Sequence, residues 1–126
     1  MRRLLRIVMF LVLLLNLLGC TRNEGFSAQE EITDGQTKGE QVVQALEKYH
    51  VDKGRYPEYL QDLIPNYLEE VPMTLAKKEF KYEGSQSDTF YLSFPVTKKK
   101  DVGSGTICTY IKRLEGWDCS QSFEKE

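Results

Sequence analysis

The sequence predicts an α+β domain: an N-terminal amphipathic helix and a short second helix packed on a three- to four-stranded antiparallel sheet. Three observations carry this reading. Val42, Val43, Leu46, Tyr49 and His50 recur at three- and four-residue spacing, which places an apolar stripe along one side of a helix. Asp52-Lys53-Gly54 and Arg55-Tyr56-Pro57 then punctuate the chain. Beyond Pro72 the period falls to two. In DTFYLSFPV, Phe90, Leu92, Phe94 and Val96 share one side while Thr89, Tyr91 and Ser93 share the other, as in a half-buried strand.

Taken in order, the chain of 126 residues opens with MRRLLRIVMFLVLLLNLLGC. Arg2, Arg3 and Arg6 precede an apolar run, residues 7–18, broken only by Asn16. A membrane-spanning helix needs about 20 apolar residues, so this run is short and reads as a signal peptide over residues 1–19. Leu17-Leu18-Gly19-Cys20 has the form of a bacterial lipobox: a small residue before the cut, then a thiol that carries a diacylglyceryl group. Cys20 is therefore the expected lipidation site. The competing reading is an ordinary secretory signal with a chance cysteine. Residues 20–35 are polar and read as a lipidated tether.

Two starts are open for the first helix. Thr37-Lys38-Gly39-Glu40 has capping-box spacing and is favoured, because Gly35 and Gly39 each weaken a longer helix by roughly 1 kcal/mol. The other start extends the helix back through residues 27–32. Gly54 suits the left-handed residue that closes the helix. Tyr56 is pushed out of helical space by Pro57, and Pro57 suits the first turn of the next helix. Tyr59, Leu60, Leu63 and Ile64 are its expected buried side, and Pro65 its stop. Glu79-Phe80-Lys81-Tyr82-Glu83 alternates as a strand. Phe90 to Val96 is the next, ended by Pro95, and residues 106–112 (TICTYIK) the third. A turn at residues 113–116 brings Trp117 and Cys119 back alongside. The tail, residues 121–126, is polar. The globular domain is placed at residues 36–120.

The segment ALEKYHVDKGRYPEYLQDLIPNYLEEVP carries a resemblance. Lys48-Tyr49, Gly54, Tyr56-Pro57, Tyr67-Leu68 and Pro72 match, in order and spacing, a pattern of the type II secretion major pseudopilins and related type IV pilin-like proteins. Phe80-Lys81-Tyr82 and Phe90-Tyr91-Leu92 extend it more weakly, so the resemblance covers roughly residues 36–95. It implies a pilin-like head, a helix packed on a small antiparallel sheet, with no residue doing chemistry. Two family features are absent. The long N-terminal helix that builds a fibre is replaced by the lipobox segment. The calcium-binding loop, rich in aspartate and glycine, is replaced by TKKKDVGSGTICTY, which has no carboxylate cluster, so calcium is not carried over.

The remaining chemistry is sparse. With Cys20 lipidated, Cys108 and Cys119 remain, and in an exported domain two thiols pair as a disulfide; the alternative is two free buried thiols. The spacing is not C-x-x-C, and a single histidine, His50, leaves a zinc site short of ligands. His50 near a helix C-terminus reads as a dipole partner and not as a general base, since no nucleophile motif accompanies it. Glu30-Glu31 and Glu69-Glu70 are sequence neighbours and read as solvated surface, since glycosidase carboxylates face each other across a cleft. Lys98-Lys99-Lys100 reads as a solubilising loop, and Gly103-Ser104-Gly105 is too short for a phosphate loop.

Three of the 17 basic residues precede Cys20 and all 19 acidic residues follow it, which leaves the mature chain at a formal charge of −5. This argues against nucleic acid as a partner and against electrostatic docking on anionic lipid. The expected protein is a non-enzymatic, lipid-anchored envelope lipoprotein without catalytic residues, metal or cofactor. It contacts the membrane through its N-terminal lipid and a protein partner through its head, as an accessory of a secretion or pilus machine. Thr21 after the cysteine, in place of aspartate, directs it to the outer membrane in a two-membrane bacterium. The alternative is a small outer-membrane lipoprotein that assists envelope assembly or sequesters a ligand.

Overall fold

The computed structural model describes residues 25–84, 88–96 and 104–124. One helix, α1 (Ala28–Lys53), lies on one face of a four-stranded antiparallel sheet, so the fold is α+β as the sequence predicts. The strands β1 (Lys81–Gly84), β2 (Phe90–Val96), β3 (Ser104–Ile111) and β4 (Gly116–Glu124) pair in chain order. Each strand folds back on the one before it and no crossover is needed.

The helix starts nine residues before Thr37, and residues 28–35 belong to it and not to a tether. Ser27, in an extended conformation, is its N-cap. The Ser27 hydroxyl accepts from the Glu30 N–H at 3.2 Å, and the Glu30 carboxylate accepts from the Ser27 N–H at 2.8 Å. This is the reciprocal capping box, and it holds the Glu30 carboxyl below its ordinary pKa. The expected box at Thr37 has been put to other uses. The Thr37 hydroxyl donates back to the Thr33 carbonyl at 2.8 Å, and Glu40 accepts from the Trp117 indole N–H at 2.8 Å.

Gly35 and Gly39, which weigh against a long helix on propensity, are what lets this one sit down on the sheet. Glu31, Gly35, Gly39, Val42, Val43 and Leu46 form its buried stripe. A Cβ at Gly35 would overlap the Phe94 ring, and one at Gly39 the Trp117 indole. Two glycines cost roughly 2 kcal/mol in propensity, while burying a phenylalanine such as Phe94 returns roughly as much by itself. Tertiary packing outweighs the local preference.

At its other end α1 closes on Gly54, which is left-handed at φ 71° and donates its N–H to the His50 carbonyl at 2.8 Å. Tyr56 and Pro57 are buried behind it. The expected second helix shrinks to one 3₁₀ turn, Leu60–Leu63. In a 3₁₀ turn residues i and i+3 eclipse, so Leu60 and Leu63 both enter the core while Tyr59 and Ile64 fall off that face and are exposed.

Phe90, Leu92, Phe94 and Val96 are buried as the alternation predicts. Pro95 does not end β2. The β1 ladder begins opposite Ser93, so at Pro95 the strand has β3 as its only neighbour, and a missing N–H is tolerated on the open side. The polar tail is also shorter than expected, because β4 pairs with β3 as far as Ser104 opposite Glu124. Ile107 faces Gln121 and Thr109 faces Asp118, so Cys119 and Ser120 together oppose Cys108 in a bulge. A disulfide joins Cys108 to Cys119 there. The Asp118 carboxylate accepts from the Ser120 N–H at 2.8 Å, which occupies a donor at this irregular point of the edge strand.

Two measurements follow from this packing. Gly39→Ala is expected to destabilise the domain by about 1–2 kcal/mol, because overpacking against a rigid indole outweighs the helix-propensity gain. An unchanged or raised denaturation midpoint would show that α1 can lift off Trp117 freely. Reduction of the disulfide, which closes a loop with a sequence separation of 11, is expected to cost about 3 kcal/mol by loop-closure entropy. Thermal denaturation with and without dithiothreitol reads that difference.

Candidate functional site

The richest side-chain constellation lies where the last turns of α1, the segment after Gly54, the start of β2 and the β3–β4 turn meet. Tyr56, placed by the Gly54–Pro57 bend, points its hydroxyl at Glu47 and donates to its two carboxylate oxygens at 3.1 and 3.2 Å. The Lys112 ammonium approaches the same carboxylate at 2.9 Å and Glu115 at 3.6 Å. His50 stacks on the Tyr56 ring at 4.4 Å and sets its Nε2 3.3 Å from Asp88. The far side of Tyr56 meets Phe90 edge-on at 4.8 Å. Burial, with the Glu47 charge second, raises the Tyr56 phenol well above its ordinary pKa. The hydrogen bond to Glu47 raises the Lys112 ammonium. Tyr82, whose hydroxyl donates to the Pro57 carbonyl at 2.8 Å, is pushed up to about 12, chiefly by burial.

Beside this network lies an open depression of about 590 Å³, bounded by Asp88, Thr89, Tyr91 and the turn residues 112–115. Leu114 stands 67% exposed at its rim and Tyr91 45%. Of the charged groups around it, Lys112 pairs with Glu47 and Glu115, and the exposed Asp88 lies 3.3 Å from the His50 Nε2. Arg113 has no ion-pair partner among the described residues, and Asp88 meets the His50 ring alone there. The arrangement joins no nucleophile to a base. It ties the helix end to the sheet.

The residues singled out from sequence fall in several places. Cys108 and Cys119 are bonded to each other. His50 sits in the last turn of α1, against Tyr56 and Asp88. Glu69 and Glu70 are exposed, Glu30 caps α1, and Glu31 is buried against the sheet side. Cys20, the expected signal peptide and Lys98-Lys99-Lys100 lie outside the described residues. Among the described residues no group of three or more His, Cys, Asp or Glu side chains is placed to hold a metal ion, and no helix is long and apolar enough to cross a membrane. Sequence reasoning missed the Glu47–Tyr56–Lys112 contact, whose members come from three separate stretches. It marked residues 113–116 only as a turn. The available signal was Leu114, an apolar residue between Arg113 and Glu115 in that turn. No known protein-family model, curated protein or solved structure matches this chain.

The buried tyrosines set a pH dependence. Their folded pKa values lie above the ordinary value of about 10, so their contribution is intact below pH 10 and is lost as pH rises through the folded values, about 12 for Tyr82. Unfolding with rising pH between about 10 and 12 is therefore expected, read by circular dichroism beside phenolate absorbance. Tyr56→Phe should lower stability at neutral pH by roughly 1.5 kcal/mol, through the lost hydrogen bond to a charged group, and make the alkaline fall shallower. An unaltered alkaline profile would remove Tyr56 from this role.

Proposed function

We propose that this protein is a lipid-anchored lipoprotein of the bacterial cell envelope whose α+β head, pilin-like in its Gly54–Pro57 segment, binds a protein partner. The observation that carries this reading is Leu17-Leu18-Gly19-Cys20 behind a basic and apolar leader. The Cys108–Cys119 disulfide supports export, because such bonds persist in oxidising compartments and are rare in a reducing cytosol. The exposed Leu114 and Tyr91 beside Arg113 support a binding role. A secretion or pilus machine is the context that the sequence pattern around Gly54 favours.

A Cys20→Ser variant tests the anchor. The native chain is expected in the membrane fraction with a mass increased by the lipid, and the variant in the soluble fraction without it. A variant that stays in the membrane with the native mass would overturn the lipoprotein reading.

A further inference from the structure

The helix covers one face of the sheet, and the other face carries an ordered pattern. Strand register puts Lys81, Ser93, Thr109 and Asp118 in one row across all four strands. Their strand neighbours Phe80, Leu92, Phe94, Cys108 and Tyr110 belong to the core, so by alternation this row lies on the uncovered face. The rows on either side set Tyr91 beside Ile111 and Pro95 beside Ile107. Tyr91 is exposed, and Pro95, Ile107 and Ile111 are half-buried. Lys81 stands on one outer strand and Asp118 on the other, and neither has an ion-pair partner among the described residues. Asp118 accepts from the Ser120 hydroxyl and N–H, which keep its carboxyl below the ordinary pKa and therefore charged.

We propose that this face binds the same face of a second copy of the chain, about a twofold axis running along the strands. Such an axis lays β1 over β4 of the other copy and β2 over its β3. Lys81 of each copy then meets Asp118 of the other, Tyr91 meets Ile111, Pro95 meets Ile107 and Ser93 meets Thr109. Glu83 falls opposite Gly116 and meets no like charge. An axis across the strands does less well. Through the same row it sets Lys81 on Lys81 and Asp118 on Asp118. Between that row and the row of Tyr91 it offers Glu83 to Lys81, but it sets Tyr91 on Ser93 and Ile111 on Thr109 and leaves Asp118 alone. Gly35 lies against Phe94 and His50 against Asp88, so α1 runs back along β2, and the axis along the strands leaves both helices pointing the same way. Both tethers then reach one bilayer, as the lipoprotein reading needs, although the pairing of the sheets does not depend on that reading. A four-stranded face covers roughly 400 Å², about half of what each partner buries in a standard interface, so the association is weak and gains from tethering both copies to one surface.

The test uses the full chain in detergent, with micelles in excess over chains, and a water-soluble carbodiimide. The reagent condenses a lysine amine with a carboxylate only where the two touch: an amide forms, and the carbodiimide leaves as its urea with the displaced carboxylate oxygen. Within one chain Lys81 and Asp118 stand three strand spacings apart, about 14 Å, so this link is made only between chains. A covalent dimer is expected, with Lys81 joined to Asp118 in the mass spectrum of its peptides and a yield that falls as salt is raised. Lys81→Asp alone and Asp118→Lys alone should each lower that yield about tenfold, because both contacts then oppose like charges. Mixed together, the two variants should couple again, since each contact between unlike chains is an opposite-charge pair. Tyr91→Glu, at an exposed position, should lower the yield about fivefold with both coupling groups intact. The native link and Tyr91→Glu remain decisive should Asp118→Lys fail to fold. Monomer alone, a dimer joined through Lys81 and Glu83, an unchanged yield in Tyr91→Glu, or folded variants that fail to couple when mixed overturns the proposal. Crosslinking reads the sheet face, while mass and fractionation of Cys20→Ser read the anchor, so the two ideas fail separately.

Discussion

The backbone of α1 meets two aromatic rings of the sheet with no side chain between them, and the rest of the structure depends on that contact. Gly35 lies against Phe94 and Gly39 against Trp117. From these rings an unbroken line of aromatic neighbours runs beneath the helix: Trp117 to Tyr110 at 5.5 Å, Tyr110 to Phe90 at 5.8 Å, Phe90 to Tyr56 at 4.8 Å. His50 stacks on the last of them. One end of the line requires glycine in the helix, and the other requires the bend at Gly54 that swings Tyr56 inward. Moving α1 outward by one methyl group at Gly39 would therefore disturb more than a local contact, because core rings share faces and edges and leave little slack.

This explains which parts of the fold were legible in the sequence. The stripe from Val42 to Leu46 and the alternation from Phe90 to Val96 are local patterns, each written in neighbouring residues, and both were read correctly. Gly54 was legible because its role is also local: it closes a helix in a left-handed conformation. Gly35 and Gly39 were misjudged because propensity assigns them a cost without knowing what lies above them. The same limit applies to Thr37 and Glu40. Their spacing satisfied a capping rule, but Trp117, distant in sequence, had already claimed Glu40. The second helix failed differently. Four apolar residues were counted as one face, while the tighter 3₁₀ turn needs only Leu60 and Leu63 to fill the core.

The candidate site was the least legible part, and the reason is physical. Glu47 belongs to a helix, Tyr56 to the bend after it and Lys112 to the turn between the last two strands. None of the three stands out in its own neighbourhood. Only the fold brings an acid, a phenol and an ammonium together. The disulfide was read from a different kind of evidence. The number of cysteines and the compartment implied by the leader pointed to a bond before any geometry, and the bulge at Cys119 and Ser120 supplied the geometry.

The two ends of the helix are held by different contacts. Towards the start of α1 the buried glycines, the indole bond to Glu40 and the Gln36 contact with the Cys119 sulfur fasten helix to sheet. The finish of α1 is fastened through Glu47, which accepts from Tyr56 and pairs with Lys112, through His50 on the Tyr56 ring, and through Asp52, which accepts from Tyr67. Apolar side chains such as Val51 and Leu114 remain outside there, although a domain of this size has little apolar surface to spare. Burying them in the core would have added stability at about 25 cal/mol per Å². Their exposure is a loss to the fold, small beside what the buried rings contribute. With α1 held to the sheet at both ends, the fold can leave these side chains outside without losing its shape.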